Sequence, residues 1–165
     1  PLDDEFASKI DEKFNSMEEL REDIRDKLIE QKKSQAEEKR REQAMDRLID
    51  ENPFEIPRSM VDSYKNILKQ NAEKRGQKVE GEEIEKQLDD FSLRSIKRYY
   101  IIDYIADQEG VEVNDEEVEK EIASISAGKP GSEKDMSEIF KKGSEPYKNL
   151  KAKVFEDKVF EIILG

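Results

Sequence analysis

The feature that most constrains this chain is a long stretch of helix-forming residues whose middle has no apolar face. Residues 16–51 contain neither Gly nor Pro, and most of them are good helix formers. Within this stretch, residues 30–43 (EQKKSQAEEKRREQ) carry a single small apolar side chain, Ala36. The apolar positions on either side recur every three or four residues: Met17, Leu20, Ile24 and Leu28, then Ala44, Met45, Leu48 and Ile49. The pattern predicts one helix, about 54 Å long, that packs at both ends and crosses solvent in between.

The composition is poor in core-forming residues. Of 165 residues, 44% are charged and 34% hydrophobic, which approaches the composition of disordered chains. The apolar residues nevertheless cluster at helical spacing, so we expect folded helices with small cores. The net charge of −12 repels phosphate backbones, and the basic runs are interleaved with Glu, so direct nucleic-acid binding is not expected.

Several further classes of protein are excluded by what the sequence lacks. It has no Cys and no His, which rules out disulfides and nucleophilic catalysis by either residue. No apolar run approaches the roughly 20 residues of a membrane helix, so no membrane partner is expected. We see no signal peptide, and a Cys-free acidic chain fits the reducing cytoplasm. Because the sequence opens on PLDDEF without Met, we expect it to be part of a longer chain.

After the long helix, the segment NPFEIP interrupts the helical pattern. Pro57 suits the first turn of a new helix, which we expect to end near Gly76. Its apolar face consists of Val61, Tyr64, Ile67 and Leu68. A second helix, opened by Gly81 and closed by Gly110, contains the dense apolar stretch IKRYYIIDYIA. Residues 57–109 therefore predict a helical hairpin.

The remainder, residues 110–165, predicts a second helical group. Asn114 and Glu117 form a capping pair ahead of a stripe that includes Ile125. AGKPGS (127–132) predicts a turn or loop. A short helix with Met136, Ile139 and Phe140 follows, and then a final helix that carries Tyr147, Leu150, Val154, Val159, Ile162 and Ile163. With six or seven helices and no convincing strand, the fold class is all-α: an elongated helical body with one long connecting helix and two helical arms.

Acidic pairs such as Asp3-Asp4 and Asp89-Asp90 are the most obvious candidates for chemistry. Paired carboxylates can bind hard cations or act as acid and base, but with 42 acidic residues such neighbours arise by chance. There is no EF-hand pattern, and the seven glycines are isolated rather than grouped in a phosphate loop. We therefore expect no enzyme, no metal site and no cofactor.

The aromatic and Met side chains allow two interpretations. The simpler one places each of them in a core. The other is an exposed apolar lining that grips other chains, since exposed contiguous apolar patches mark interaction sites and Met suits adaptable surfaces. The candidates are Phe54, Tyr64, Phe91, Tyr99, Tyr100, Met136, Phe140, Tyr147, Phe155 and Phe160.

Three phrases of the sequence resemble one known family. PLDDEFASKI, SMEELREDIRDKL and AMDRLIDENPFEIPRSMVD together resemble the carboxy-terminal part of trigger factor, the ribosome-associated bacterial chaperone family. The similarity runs through essentially the whole chain and is strongest over residues 1–64. It implies a module with residues 1–56 as an amino-terminal segment plus connecting helix, 57–109 as a first arm and 110–165 as a second arm.

The resemblance also implies a function. The family's carboxy-terminal domain cradles unfolded or nascent polypeptides, which implies a cytoplasmic, ATP-independent chaperone module that prevents aggregation. The ribosome-docking and prolyl-isomerase domains are not recognised here, so we expect ribosome binding only through domains outside this chain, and no isomerase activity. The implied client-binding residues are Val61, Tyr64, Ile67 and Leu68 in the first arm and Ile125, Met136, Ile139 and Phe140 in the second.

A structural or adaptor protein remains the alternative interpretation. In that case the long helix separates two docking points, and the arms bind one folded partner or a second copy of the chain. A chaperone module binds several unrelated unfolded proteins and ignores their native forms, whereas an adaptor shows one stoichiometric partner.

Overall fold

The computed structural model describes residues 3–11, 13–127, 136 and 138–165, and within these ranges the chain is all-α, with helices and no strand. This confirms the all-α part of the predicted fold class. The main helices in the described part of the chain are α1 (Asp4–Ile10), α2 (Met17–Glu51), α3 (Arg58–Lys74), α4 (Glu82–Glu109), α5 (Asp115–Ala127) and α6 (Glu145–Leu164). The chain divides into two compact units, Pro1–Gln43 and Ala44–Gly165.

The first unit has a small core where α1 meets the start of α2. Ala7, Phe14 and Leu20 are buried there, with Met17 packed against them. The turn between the helices is held by polar bonds: the Met17 backbone N–H donates to Asp4 Oδ1 at 2.8 Å. Ser16 caps α2, because its Oγ accepts from the backbone N–H of Glu19 at 3.2 Å.

The second unit contains the larger core. Its buried residues come from the last turns of α2, the second half of α4 and the end of α6: Met45, Ile101, Ile102, Ala106, Val159 and Phe160. Phe160 and Val159 are completely buried, and Phe54 and Ile105 pack around the edge. The dense apolar stretch of α4 is therefore used on more than one side, since α4 packs against both α3 and α6.

A separate core joins α5 to α6. Val118, Tyr147 and Leu150 are buried there, and Ile122, Ile125 and Phe140 pack against them. The start of α5 is fixed by a complete reciprocal cap. The Glu117 N–H donates to Asn114 Oδ1, and the Asn114 N–H donates to Glu117 Oε2, both at 2.9 Å. The capping pair predicted at Asn114 and Glu117 is thus fully formed.

The predicted helix over residues 16–51 corresponds to α2, and the glycine positions behave as expected. Gly110 closes α4 in the left-handed conformation (φ 64°), which favours glycine because it has no Cβ. The predicted AGKPGS loop lies outside the described residues apart from Ala127. In the region of the predicted short helix, Met136 is helical, and the Phe140 N–H donates to the Met136 carbonyl at 2.9 Å. The division into two arms stays a prediction.

Candidate functional site

The segment between α2 and α3 lies against α4 through an aromatic contact. Pro53 and Pro57 bracket an extended stretch, and Phe54 within it meets the ring of Tyr100 edge-on, with centroids 6.3 Å apart. Tyr100 in turn meets Tyr99 edge-on at 5.8 Å. Proline supplies no backbone N–H, so it favours an extended path over continued helix. The aromatic contacts therefore hold a non-helical segment over the face of α4.

A depression of about 810 Å³ lies between this segment and the second half of α4. Its walls combine aromatic and aliphatic side chains with a few acidic ones. They include Leu48, Phe54, Ile56, Pro57, Met60, Tyr100, Ile101, Tyr104 and Ile105, together with Asn52, Glu55, Asp103 and Asp107.

The depression continues between α3 and α4. Two further hollows, of about 360 and 280 Å³, share Met60, Tyr64 and Ile96 with each other, and Met60 also lines the first depression. The Tyr100 hydroxyl donates to Met60 Sδ at 3.9 Å, so the two side chains meet where the hollows join. We call this continuous surface the α3–α4 groove. Its apolar residues include Phe54, Ile56, Met60, Tyr64, Ile67, Ile96, Tyr99, Tyr100 and Tyr104.

Much of the groove's apolar surface faces solvent. Tyr104 is 66% exposed, Tyr99 63% and Ile67 53%, although all three lie on helices with a buried side of their own. Adjacent exposed aromatic and aliphatic side chains mark interaction surfaces, because leaving apolar area in water is unfavourable. The phenolic hydroxyls can hydrogen-bond to water when the groove is empty and to a bound backbone when it is filled.

The groove's acidic side chains give it a negative edge. Glu55, Asp103 and Asp107 all line the 810 Å³ depression, and none has an ion-pair partner among the described residues. Among the described residues, the cation found against an aromatic wall of the groove is Lys97, whose Nζ lies 5.6 Å from the centre of the Phe54 ring. The groove can therefore bind apolar groups by non-covalent contact, with acidic side chains along its edge.

An ion network fixes α3 against α4. Lys65 Nζ lies 2.7 Å from Asp89 Oδ1, and Arg58 lies 2.7 Å from Asp89 Oδ2. Hydrogen bonds from Lys65 and Arg58 hold the pKa of Asp89 below its ordinary value. Lys69 and then Lys65 likewise lower the pKa of Glu85 by hydrogen bonding. These partly exposed pairs hold the two helices that form the groove in a fixed register.

The predicted first-arm residues separate according to their exposure. Ile67 is exposed and Tyr64 half-buried, and both line the groove. Leu68 is half-buried, and Val61 is buried, with 4% of its surface exposed. The structure therefore brings two of these four residues to one surface.

The predicted second-arm residues also separate. Ile125 and Phe140 pack against the core of Val118, Tyr147 and Leu150. Met136 is half-buried, whereas Ile139 is 51% exposed. Of this set, Ile139 presents the most accessible apolar surface.

Sequence reasoning missed Met60, Ile56 and Tyr104 as part of the same surface. A usable signal was present in IKRYYIIDYIA, which carries more apolar side chains than one helical face can bury. The additional apolar side chains must therefore contact a second neighbouring element or face solvent. Which residues form the excess depends on α3 and α6, whose positions the sequence pattern does not give.

Other kinds of site find no support in residues 3–11, 13–127, 136 and 138–165. No cluster of three carboxylates is arranged to hold a metal ion. No helix in these ranges combines the length and apolar character needed to cross a bilayer.

Comparison with known proteins identifies the family. Residues 16–165 match the family model described as bacterial trigger factor protein C-terminus. The chain belongs to the trigger factor family. The matched region is not catalytic, and the isomerase domain of trigger factor lies outside it, which agrees with the expectation that this chain is not an enzyme.

Individual trigger factors match over nearly the whole chain. Trigger factor from Geotalea uraniireducens is 27% identical over 175 residues, covering 99% of this chain and 40% of the relative. Trigger factor from Bartonella tribocorum is 30% identical over 173 residues, covering 99% and 36%. That from Carboxydothermus hydrogenoformans is 28% identical over 176 residues, covering 99% and 38%. The chain spans about two fifths of the length of these curated relatives.

Proposed function

We propose that this chain is an ATP-independent chaperone module that binds unfolded or nascent polypeptides in the α3–α4 groove and so prevents their aggregation in the bacterial cytoplasm. The observation that carries the proposal is the continuity of the groove: three hollows joined at Met60 present aromatic and aliphatic side chains to solvent. Membership of the trigger factor family supports a role in protein folding.

The composition of the groove suits a client without a fixed structure. Tyr and Met side chains give large, adaptable contact area, so many sequences can be accommodated. Contacts with an exposed surface are individually weak, and release then needs no energy source. A polypeptide backbone can also accept hydrogen bonds from the Tyr99, Tyr100 and Tyr104 hydroxyls, independently of its sequence.

The second predicted arm contributes a smaller surface in this proposal. Ile139 is the accessible residue there, and Met136 is half-buried nearby in sequence. Phe140 and Ile125 instead support the packing of α5 on α6. Their replacement is therefore expected to perturb the fold before it reports on client binding.

The test compares two double variants in a titration with a permanently unfolded client, such as reduced and carboxymethylated α-lactalbumin. Tyr99→Ser with Tyr104→Ser removes two exposed groove aromatics, and we expect the Kd to rise about tenfold or more. The matched control is Phe91→Ser with Ile162→Ser, which removes exposed apolar residues that do not line the groove. Equal loss in both variants, or none in either, contradicts the assignment of the groove.

Suppression of aggregation distinguishes the chaperone from the adaptor. We expect the parent chain, without nucleotide, to reduce light scattering from several unrelated unfolded proteins on dilution, and to leave native forms unbound. Capture of one folded partner at fixed stoichiometry, with no suppression, supports the adaptor instead.

A further inference from the structure

The first unit carries an exposed apolar surface of its own. In α2, every residue from 24 to 40 is exposed. Ile24, Leu28 and Ile29 are 47%, 51% and 46% exposed. Leu20, earlier in the same stripe, is buried. The stripe thus continues beyond the core of the first unit and has no covering element among the described residues.

Basic side chains surround these aliphatic ones. A shallow surface is formed by Arg21, Ile24, Arg25, Leu28, Ile29, Lys32, Lys33 and Ala36, and we call it the α2 face. Positions 21, 25, 28 and 32 recur by three and four, so they share one side of the helix. Asp23, Asp26 and Glu30 lie on the other side by the same geometry.

The cations of the α2 face have no ion-pair partners in the described part of the chain. Other cations on the same helix do form ion pairs: Lys27 pairs with Asp23 at 2.7 Å, and Arg47 pairs with Glu51 at 2.7 Å. In a chain with net charge −12, a patch of unpaired cations around exposed aliphatic side chains is locally distinct. Its complement is a surface that is apolar and acidic.

We propose that the α2 face binds acidic amphipathic segments of polypeptides. The proposal rests on the proposed function, because it gives the same module a second class of client segment. The two surfaces then differ in charge: Glu55, Asp103 and Asp107 line the α3–α4 groove, whereas Arg and Lys line the α2 face. We therefore expect client segments flanked by basic residues to bind in the groove and those flanked by acidic residues to bind on the α2 face.

The geometry of the face specifies the occupant further. Arg21 and Arg25 are separated by about 6 Å along the helix axis, and Arg25 and Lys32 by about 10.5 Å. A segment that forms a helix on binding matches this spacing when its carboxylates and apolar residues recur every three or four positions. Three aliphatic residues flanked by cations leave room for one such helix lying alongside α2.

Other anionic occupants fit less well. A nucleic acid or an anionic membrane presents a large field that the net charge of −12 opposes, and the face has no aromatic side chain for base stacking. A second copy using the same face in antiparallel register centred near Leu28 brings Arg25 opposite Lys32. Like charges in contact destabilise such a pair.

The experiment measures fluorescence anisotropy of a labelled synthetic peptide with Leu and Glu at helical spacing. We expect binding that weakens with salt, and about a tenfold loss in the variant Arg25→Glu with Lys32→Glu. Both new residues are good helix formers, so helicity by circular dichroism is expected to be unchanged. Lys78→Glu with Lys86→Glu changes the net charge equally, outside both surfaces, and is expected to bind like the parent.

Two further peptides complete the test. In one, Lys replaces every Glu of the acidic peptide, and in the other the Leu positions are scrambled. Both peptides are expected to bind the α2 face poorly. Equal binding of the acidic peptide by the parent and the Arg25→Glu, Lys32→Glu variant overturns the proposal. So does tighter competition by duplex RNA or anionic vesicles, or a concentration-dependent dimer that this variant abolishes.

The groove variant Tyr99→Ser with Tyr104→Ser distinguishes binding on the α2 face from client binding in the α3–α4 groove. We expect it to keep its affinity for the acidic peptide while losing the unfolded client. If the parent fails to bind the unfolded client but binds the acidic peptide at the α2 face, the proposed groove function fails and the α2 face assignment stands. If the parent binds the unfolded client but not the acidic peptide, only the α2 face assignment fails.

Discussion

At the scale of single residues, similar apolar amino acids in this chain have different roles because their surroundings differ. Leu20 is buried in the first unit, while Leu28, two turns further along the same stripe, is 51% exposed. Val61 is buried, whereas Ile67 on the same helix lines the groove. Periodicity places all four on apolar stripes, and only the neighbouring elements decide which become accessible for binding.

Ser92 gives a prediction at this scale. It is fully buried in α4, and its hydroxyl has no hydrogen-bond partner among the described residues. A buried unsatisfied hydroxyl destabilises the fold, and Ala is the better helix former, so Ser92→Ala is expected to raise the free energy of unfolding by about 1 kcal/mol. Urea unfolding measures the change.

The matched control is Ser95→Ala, on the same helix but half-buried. It gains helix propensity without removing a fully buried hydroxyl, so we expect a smaller increase. Equal increases would show that helix propensity alone accounts for the effect.

At the scale of helices, the groove depends on the register of α3 against α4. Arg58, Lys65 and Lys69 on α3 pair with Glu85 and Asp89 on α4. Each pair is partly exposed and individually weak, but together they connect the two helices over several turns. Apolar contacts alone permit sliding along a stripe, whereas fixed charge pairs favour one register.

This network predicts a dependence on pH. The folded-state pKa values of Asp89 and Glu85 are lowered by their cationic partners, so these carboxylates stabilise the fold above their unfolded pKa values. That contribution is lost as pH falls below about 4 and through the folded pKa values. We expect a lower thermal unfolding midpoint at pH 3 than at pH 7, measured by circular dichroism.

The variant Asp89→Asn tests whether this network is responsible. It removes the carboxylate that Lys65 and Arg58 both contact, so part of the pH dependence is expected to disappear. Asp90→Asn is the control, since no ion pair is found at Asp90 in the described residues. An unchanged profile in Asp89→Asn contradicts the assignment.

At the scale of the whole molecule, each unit contains the residues of its own core. The cores around Phe160 and around Val118 draw only on the second unit, Ala44–Gly165. The α3–α4 groove is also formed entirely within that unit. The α2 face belongs to the first unit, Pro1–Gln43.

This arrangement predicts that residues 44–165 fold alone and keep the groove. We expect a cooperative urea transition and an affinity for the unfolded client within about twofold of the parent, since no groove residue is lost. The same fragment lacks the α2 face and is expected not to bind the acidic amphipathic peptide. A fragment that folds but fails to bind the unfolded client contradicts the location of the groove.

The sequence by itself determined the helices from α2 onward, several of their ends and the resemblance to the family. Gly and Pro positions, capping pairs such as Asn114 with Glu117, and apolar spacing act locally, so each can be interpreted without knowing the fold. The tertiary structure alone decided that Val61 and Phe140 pack inward, that Met60 and Tyr104 join one groove, and that Leu28 is left uncovered. The reason is that an apolar stripe shows which side of a helix avoids water, but coverage depends on neighbours distant in the chain.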